Sequence, residues 1–324
     1  MNTKTDLLLE ELIRDSDGDA RISLSRSDTA SLDAQEKKNL IRSLMNIRMP
    51  RALSEKLLKL QDAYLQEELE EKSIVSLSDI PTIRELRSRG GDAPSVQSRY
   101  AHAADAETAH ATPVQSAHTT AASVTAGKAA VRSKHLAEKL SLWQGDITRL
   151  KVGAIVNAAN SQMLGCFVPC HRCIDNAIHS AAGMQLREEC HQIMTRKRAA
   201  YGKDYEEPTG TATLTGAYQL PCDYVIHTVG PIVYGDLTDA LCQDLRNCYE
   251  NVLKCCMEHH IRSVAFCCIS TGEFHFPNEK AAEIALETAA AFLEMHGNDM
   301  ERIVFNVFTD RDRRIYEKLL GLDS

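Results

Sequence analysis

Cys166, His171 and Cys173 form a C-x4-H-x-C set within eight residues, with Cys170 as a further thiol inside it. Thiolate and imidazole are soft, closely spaced donors of the kind that suit Zn2+. Three protein ligands leave a tetrahedral ion one open position, as in catalytic sites. A fourth, supplied by Cys170, would close the shell and make the site structural. The spacing alone leaves both arrangements open. Reduced core thiols beside a surface histidine are the plainer alternative, but three soft ligands and a proline in so short a run favour a metal. Asp175 follows two residues after Cys173, and Asn157 and Asn160 precede the run. A carboxylate, an amide and a metal set therefore share one connection between an apolar strand and a helix, which is where α/β folds bind ligands.

Three more loops fall at the ends of apolar stretches. Gln144-Gly-Asp-Ile-Thr148 follows Leu140–Trp143, and His227-Thr-Val-Gly-Pro231 closes a middle strand. Ile269-Ser-Thr-Gly-Glu-Phe-His-Phe-Pro277 separates an apolar run from a helix. Small residues ahead of a helix N-terminus offer free N–H groups and a dipole that favour phosphate. Taken singly each loop is weak. Asp146 alone reads as a cap or turn aspartate and Asn160 as a loop asparagine satisfying backbone. His179 and His227 read as packed side chains.

The elements that must position these loops alternate between strand and helix from Lys134 to the C-terminus. Strands are expected at 140–143, 152–156, 211–217, 223–229, 263–269 and 302–308. Helices are expected at 183–198, 238–259, 278–296 and from Asp310. This alternation predicts an α/β layered domain with a mostly parallel or mixed sheet. Residues 1–87 carry helical periodicity: Leu7, Leu8, Leu12 and Ile13; then Leu40, Ile41, Leu44 and Met45 up to Pro50; then Leu57, Leu58, Tyr64 and Leu65. They predict a helical extension packed on the main domain. Residues 88–133, rich in Ala, Ser, Thr and His, lack a core-forming pattern and read as a disordered linker, leaving 134–324 as the main domain.

Composition narrows the function classes. The chain has 324 residues, 44% hydrophobic and 25% charged, which is ordinary for a globular protein. Its formal net charge of −8, from 37 basic and 45 acidic residues, disfavours general binding to nucleic acid. No apolar run is long enough to span a bilayer, and the acidic N-terminus resembles neither a signal nor a transit peptide. A cytoplasmic protein with its eleven cysteines reduced is expected.

Together and in this order the loops are specific. The segment from about 140 to 320 resembles a macrodomain, the ADP-ribose-binding fold. The matching motifs are Gln144-Gly-Asp-Ile-Thr, Asn157-Ala-Ala-Asn, Ile174-Asp-Asn-Ala-Ile-His, Ala181-Ala-Gly183, His227-Thr-Val-Gly-Pro and Ile269-Ser-Thr-Gly. More narrowly, the Gly165-Cys-Phe-Val-Pro-Cys-His-Arg-Cys173 insertion and the helical extension resemble the zinc-dependent branch of microbial macrodomains. The resemblance implies a three-layer α/β/α macrodomain with a mixed sheet, behind a small helical extension.

It also implies roles. Asp146 would accept from the adenine amino group, with the Ile147 backbone beside it. Ser270, Thr271, Gly272, Glu273 and Phe274 would present N–H groups to the diphosphate, Phe274 packing on the distal ribose. Asn160 would bond that ribose, Asp175 would orient or activate water, and Cys166, His171 and Cys173 would hold one Zn2+ ion. The expected activity is zinc-dependent hydrolysis of the glycosidic or ester bond joining ADP-ribose to a protein side chain, a carboxylate being the leaving group. Some members of this branch are paired with a sirtuin-type transferase and a lipoyl-carrier protein substrate. The other class is a reader that binds ADP-ribose without turnover, its zinc only shaping the loop. Where many macrodomains have an uninterrupted glycine run before the aspartate, this chain carries the Cys/His insertion.

Overall fold

The protein is described by a computed structural model that covers residues 3–16, 29, 31–89 and 134–322. The linker expected at 88–133 lies outside the described residues apart from Ser88 and Arg89. These two end a short helix.

Three helices open the chain: α1 (Lys4–Asp15), α2 (Ala34–Ile47) and α3 (Glu55–Lys72). Their starts follow from local chemistry. Thr3 and Asp33 each cap an N-terminus in a reciprocal capping box, and Ser54 accepts from Leu57 N. Such caps satisfy helix-end donors and contribute about 1 kcal/mol each. The apolar faces of these helices meet in a separate small core built from Leu8, Leu12, Ile41, Leu44, Leu57 and Tyr64. Met184 of the main domain joins that core. Each fully buried leucine in it contributes about 1.5–3 kcal/mol.

The extension continues as β1 (Val75–Ser76) and α4 (Ile83–Ser88). After the linker come α5 (Lys134–Lys139), β2 (Leu140–Gln144), β3 (Leu150–Lys151) and β4 (Ala154–Ala159). Next are α6 (Ile174–Ala182), α7 (Met184–Tyr201), β5 (Ala212–Gly216) and β6 (Tyr224–Val229). The chain closes with α8 (Asp239–Glu258), β7 (Ser263–Phe266), α9 (Asn278–His296), β8 (Arg302–Val307) and α10 (Asp310–Leu320).

Six strands form one sheet in the order β2-β8-β7-β4-β6-β5. All its pairings are parallel except β5 with β6. The sheet is therefore mixed, as expected. Every residue of β7 is buried, as is every residue of β8 after Arg302. Such runs fit strands covered on both faces. Because β2, β8, β7, β4 and β6 run the same way, the loops after all five share one edge, and the site is built there.

The strand expected at 152–156 begins late, because Val152 and Gly153 form a bend rather than strand. β3 leaves the main sheet to pair with β1 of the extension, and β4 starts only at Ala154. Gly153 sits between them, its N–H donating to Ser263 Oγ at 2.8 Å. In turn, Asn157, read from the sequence as the start of a loop, lies inside β4. The strand continues to Ala159 because its register with β6 runs on through Val229. No helix among the described residues is long and apolar enough to cross a membrane, and all eleven cysteines are free thiols.

Candidate metal and ADP-ribose site

The connection from β4 to α6 brings the Cys/His set together. The donor atoms of Cys166, His171 and Cys173 lie within 4.8 Å of one another. Cys166 Sγ stands 3.6 Å from His171 Nδ1, and tetrahedral Zn–S and Zn–N bonds would also separate those atoms by about 3.6 Å. The donor set thus fits zinc in type and in spacing. Cys170 does not join it. Its backbone takes a positive φ of 53°, and its Sγ turns to Asn39 O at 3.4 Å and Ser43 Oγ at 3.3 Å on α2. The triad thus stands as a three-residue donor set. Burial, with the nearby Cys166 and Asp175, pushes the Cys173 thiol up to about 12, a preference that a divalent cation between the donors would reverse. His171 presents its other nitrogen, Nε2, to Glu273 at 3.6 Å, so the metal loop and the 270–276 loop meet across the cleft.

Cys173 has a second task. It caps α6, its Sγ accepting from Asn176 N at 3.4 Å, and so places Asp175 in the first helical turn. Asp175 is only 5% exposed. Asn157 Nδ2 donates to its Oδ1 at 2.8 Å and Asn160 Nδ2 to its Oδ2 at 3.3 Å. Burial outweighs the Asn157 hydrogen bond and the Arg187 charge and raises its pKa to about 6. Asn157 is in turn set by His227, whose Nδ1 lies 3.1 Å from the amide nitrogen. His227 Nε2 lies 2.9 Å from Thr215 Oγ1. With Nδ1 accepting and Nε2 donating, the ring is neutral, and burial holds its pKa down near 3. His227, which sequence reasoning gave no role, therefore orients the amide that orients the carboxylate. His179, one turn after Asp175, brings Nε2 to 3.5 Å from Asp175 Oδ1 in a fully packed setting. The loop crosses directly over this ring at Gly165. There φ is 76° and a Cβ would come within 2.8 Å of the imidazole, so only glycine fits.

At the other end of the cleft Asp146 caps the turn after β2. Its Oδ1 accepts from Thr148 N at 3.0 Å and Thr148 Oγ1 at 2.6 Å. Both the cap reading and a ligand role are available, because Oδ2 faces outward toward Lys72 Nζ at 3.4 Å and the side chain is 35% exposed. Ile147 beside it is buried. An aromatic that sequence reasoning missed, Phe308, is 75% exposed where the chain leaves β8, next to the Gly145 N–H bonded to Val307 O. Its sequence signal is slight: one Phe at the end of the strand expected at 302–308, which stops at Val307.

Between the ends, the 270–276 loop doubles back on itself. Phe276 N donates to Ser270 O and His275 N to Gly272 O. Ser270 and His275 take φ values of 64° and 55°, so the histidine does adopt the left-handed conformation that glycine would accept more readily. No acceptor among the described residues takes the N–H groups of Ser270, Gly272, Glu273 and Phe274. Thr271 N is bonded weakly to Cys268 O at 3.5 Å, and so is the least free of the five. Ser270 Oγ, buried without a hydrogen-bond partner, packs against Gly230, where any Cβ would collide with it. The structure thus gathers Asn160, Asp175 and the metal triad at one end, the 270–274 loop beside them, and Asp146 with Ile147 at the far end.

An α/β domain with these strand-end loops framing one cleft is a macrodomain, and the chain belongs to the macrodomain family. The Macro domain model matches residues 156–285. The protein-ADP-ribose hydrolase of Treponema medium is 42% identical over 289 residues, 89% of this chain and 89% of that one. The protein-ADP-ribose hydrolase of Staphylococcus aureus (strain Mu50 / ATCC 700699) is 46% identical over 188 residues, 58% of this chain and 68% of that one. Among solved structures, the Trypanosoma brucei macrodomain in complex with ADP-ribose aligns with a TM-score of 0.55 at 26% identity. That alignment covers 86% of this chain and 95% of that one.

Proposed function

We propose that the protein hydrolyses the bond between ADP-ribose and a protein side chain, a carboxylate-linked mono-ADP-ribose, with one zinc ion held by Cys166, His171 and Cys173. The observation that carries this reading is the convergence of that triad with Asp175, a buried carboxylate held by two amides. A module that only binds ADP-ribose has no use for a carboxylate sequestered at such cost to its charged form.

In this reading Asp146 takes the adenine amino group and the free N–H groups of the 270–274 loop take the diphosphate. Asn160, whose Oδ1 is fixed by Gln162 N at 3.1 Å, positions the distal ribose. Asp175 orients a water at the anomeric carbon and receives its proton as the new C–O bond forms. As that bond forms, the bond to the departing side-chain carboxylate breaks, that group leaving with the bonding electron pair. A carboxylate is stable enough as a leaving group to need little acid assistance. Zinc held by Cys166, His171 and Cys173 would supply Lewis acidity toward an oxygen ligand. The substrate proposed from the resemblance to the zinc-dependent branch is a protein modified by a sirtuin-type transferase, a lipoyl-carrier protein being the specific candidate.

The test is turnover of a mono-ADP-ribosylated carrier protein by the full chain and by Asp175→Ala, with binding of free ADP-ribose measured alongside. Release by the wild type and its loss in the variant, with binding kept, is expected. Binding by both proteins without release by either would make the chain a reader.

A further inference from the structure

Arg187, on α7, is 5% exposed and has no carboxylate within ion-pair distance among the described residues. Backbone carbonyls take the place of a counter-ion. Its Nη1 donates to Met45 O at 3.0 Å, Asn46 O at 2.7 Å and Arg48 O at 2.8 Å. These lie at the C-terminal end of α2, where carbonyls lack helical partners and the dipole is negative. On its other side Nε donates to Leu164 O at 2.7 Å and Nη2 approaches Cys166 O at 3.5 Å. Phe167 covers the guanidinium, 4.3 Å from ring centre to Cζ. One buried cation therefore joins the extension to the very loop that carries Cys166.

The rest of that loop is tied to α2 as well. Arg42 Nη2 donates to His171 O at 3.2 Å and to Asn176 Oδ1 at 2.7 Å, and Asn46 Oδ1 accepts from Cys170 N at 3.0 Å. Asn176 is the residue whose N–H meets Cys173 Sγ. Each member of the triad thus has a backbone or side-chain neighbour held from α2 or by the arginine that grips α2. A loop with two charged clamps on its carbonyls has lost most of its freedom before any metal arrives, and such partners of ligating residues tune metal affinity.

We propose that Arg187 and Arg42 are positioning residues that make the N-terminal helical extension part of the metal site, pre-forming the Cys166–His171–Cys173 triad. The inference rests on the zinc reading given above. It states that the extension acts on metal affinity, beyond its contribution to stability. Arg187 cannot be replaced by lysine for this purpose, because a single ammonium lacks the planar fork that spans two elements.

The experiment uses the full chain, with zinc affinity measured by competition against a fluorescent chelator, and melting temperature and ADP-ribose affinity measured in parallel. The control is Gln61→Ala. Gln61 docks the extension on the first turn of α7, accepting from Met184 N at 2.7 Å and donating to Gln185 Oε1 at 2.5 Å, and makes no hydrogen bond to the Cys/His loop among the described residues. Arg187→Lys and Arg42→Gln should each weaken zinc binding roughly tenfold to a hundredfold while free ADP-ribose still binds. Gln61→Ala should lower the melting temperature and leave zinc affinity unchanged. If Arg187→Lys does not fold, Arg42→Gln decides alone. Wild-type zinc affinity in the folded arginine variants would overturn the inference, and so would an equal loss of zinc affinity in Gln61→Ala. A wild-type chain that takes up no zinc would overturn the zinc reading itself, and this inference with it.

Discussion

At the Asp146 end of the cleft the contacts are mostly short in sequence, and the key side chain is partly open to solvent. At the Asp175 end the key side chain is buried, and its supports come from β4, β5, β6, α7 and the extension. The first end is a strand-end turn with a cap, a feature that many proteins build for purely structural reasons. The second sequesters a carboxylate beside a depressed-pKa histidine and three metal-type donors, which a fold gains nothing from doing. The contrast separates binding from chemistry: substitutions at the Asp175 end should act on turnover, and those at the Asp146 end on affinity.

The largest effect tests the metal side of that contrast. Cys173→Ser should lose stoichiometric zinc and turnover together, read by metal analysis beside the hydrolysis assay. Asp175→Ala comes next. It should keep zinc and ADP-ribose binding but lose about 10²- to 10⁴-fold in rate, the usual worth of a positioned proton acceptor. Retention of full activity in this variant would erase the distinction between the two ends. A smaller effect is expected from Asp146→Ala, which removes a charged acceptor and should weaken ADP-ribose binding by about 1.5 kcal/mol in calorimetry, with little change in rate for bound substrate. A partly exposed carboxylate belongs at the low end of the range for charged hydrogen bonds. Smallest of all should be Cys170→Ser, which keeps zinc and activity because that thiol turns toward Asn39 and Ser43. If it strips the metal, the site is closed and structural.

The short-range features were legible in the sequence because local chemistry decides them. Asp33 and Ser54 cap helices through neighbours three residues on, and alternating apolar runs mark the strands of the sheet. The clustering of Cys166, His171 and Cys173 was legible too, since all three sit within one loop. Long-range consequences were hidden. Nothing in the sequence near Arg187 shows that α2 ends over it, 139 to 142 residues earlier. His227 looked like a buried strand end because its partner Asn157 becomes a neighbour only once β4 and β6 pair in register. The strand boundary at Gly153 was missed for the same reason: the pairing of β3 with β1 joins segments 75 residues apart. The fate of Cys170 could not be read from spacing either, as its direction depends on a helix that packs against it.

The most direct test of the central claim is a single titration on the full chain. Protein stripped by a chelator is assayed for release of ADP-ribose from a modified protein, and zinc is then added back in steps. The account predicts no turnover from the stripped protein and recovery that saturates at one zinc per chain, while free ADP-ribose binds before and after. Full turnover by demonstrably zinc-free protein would contradict it.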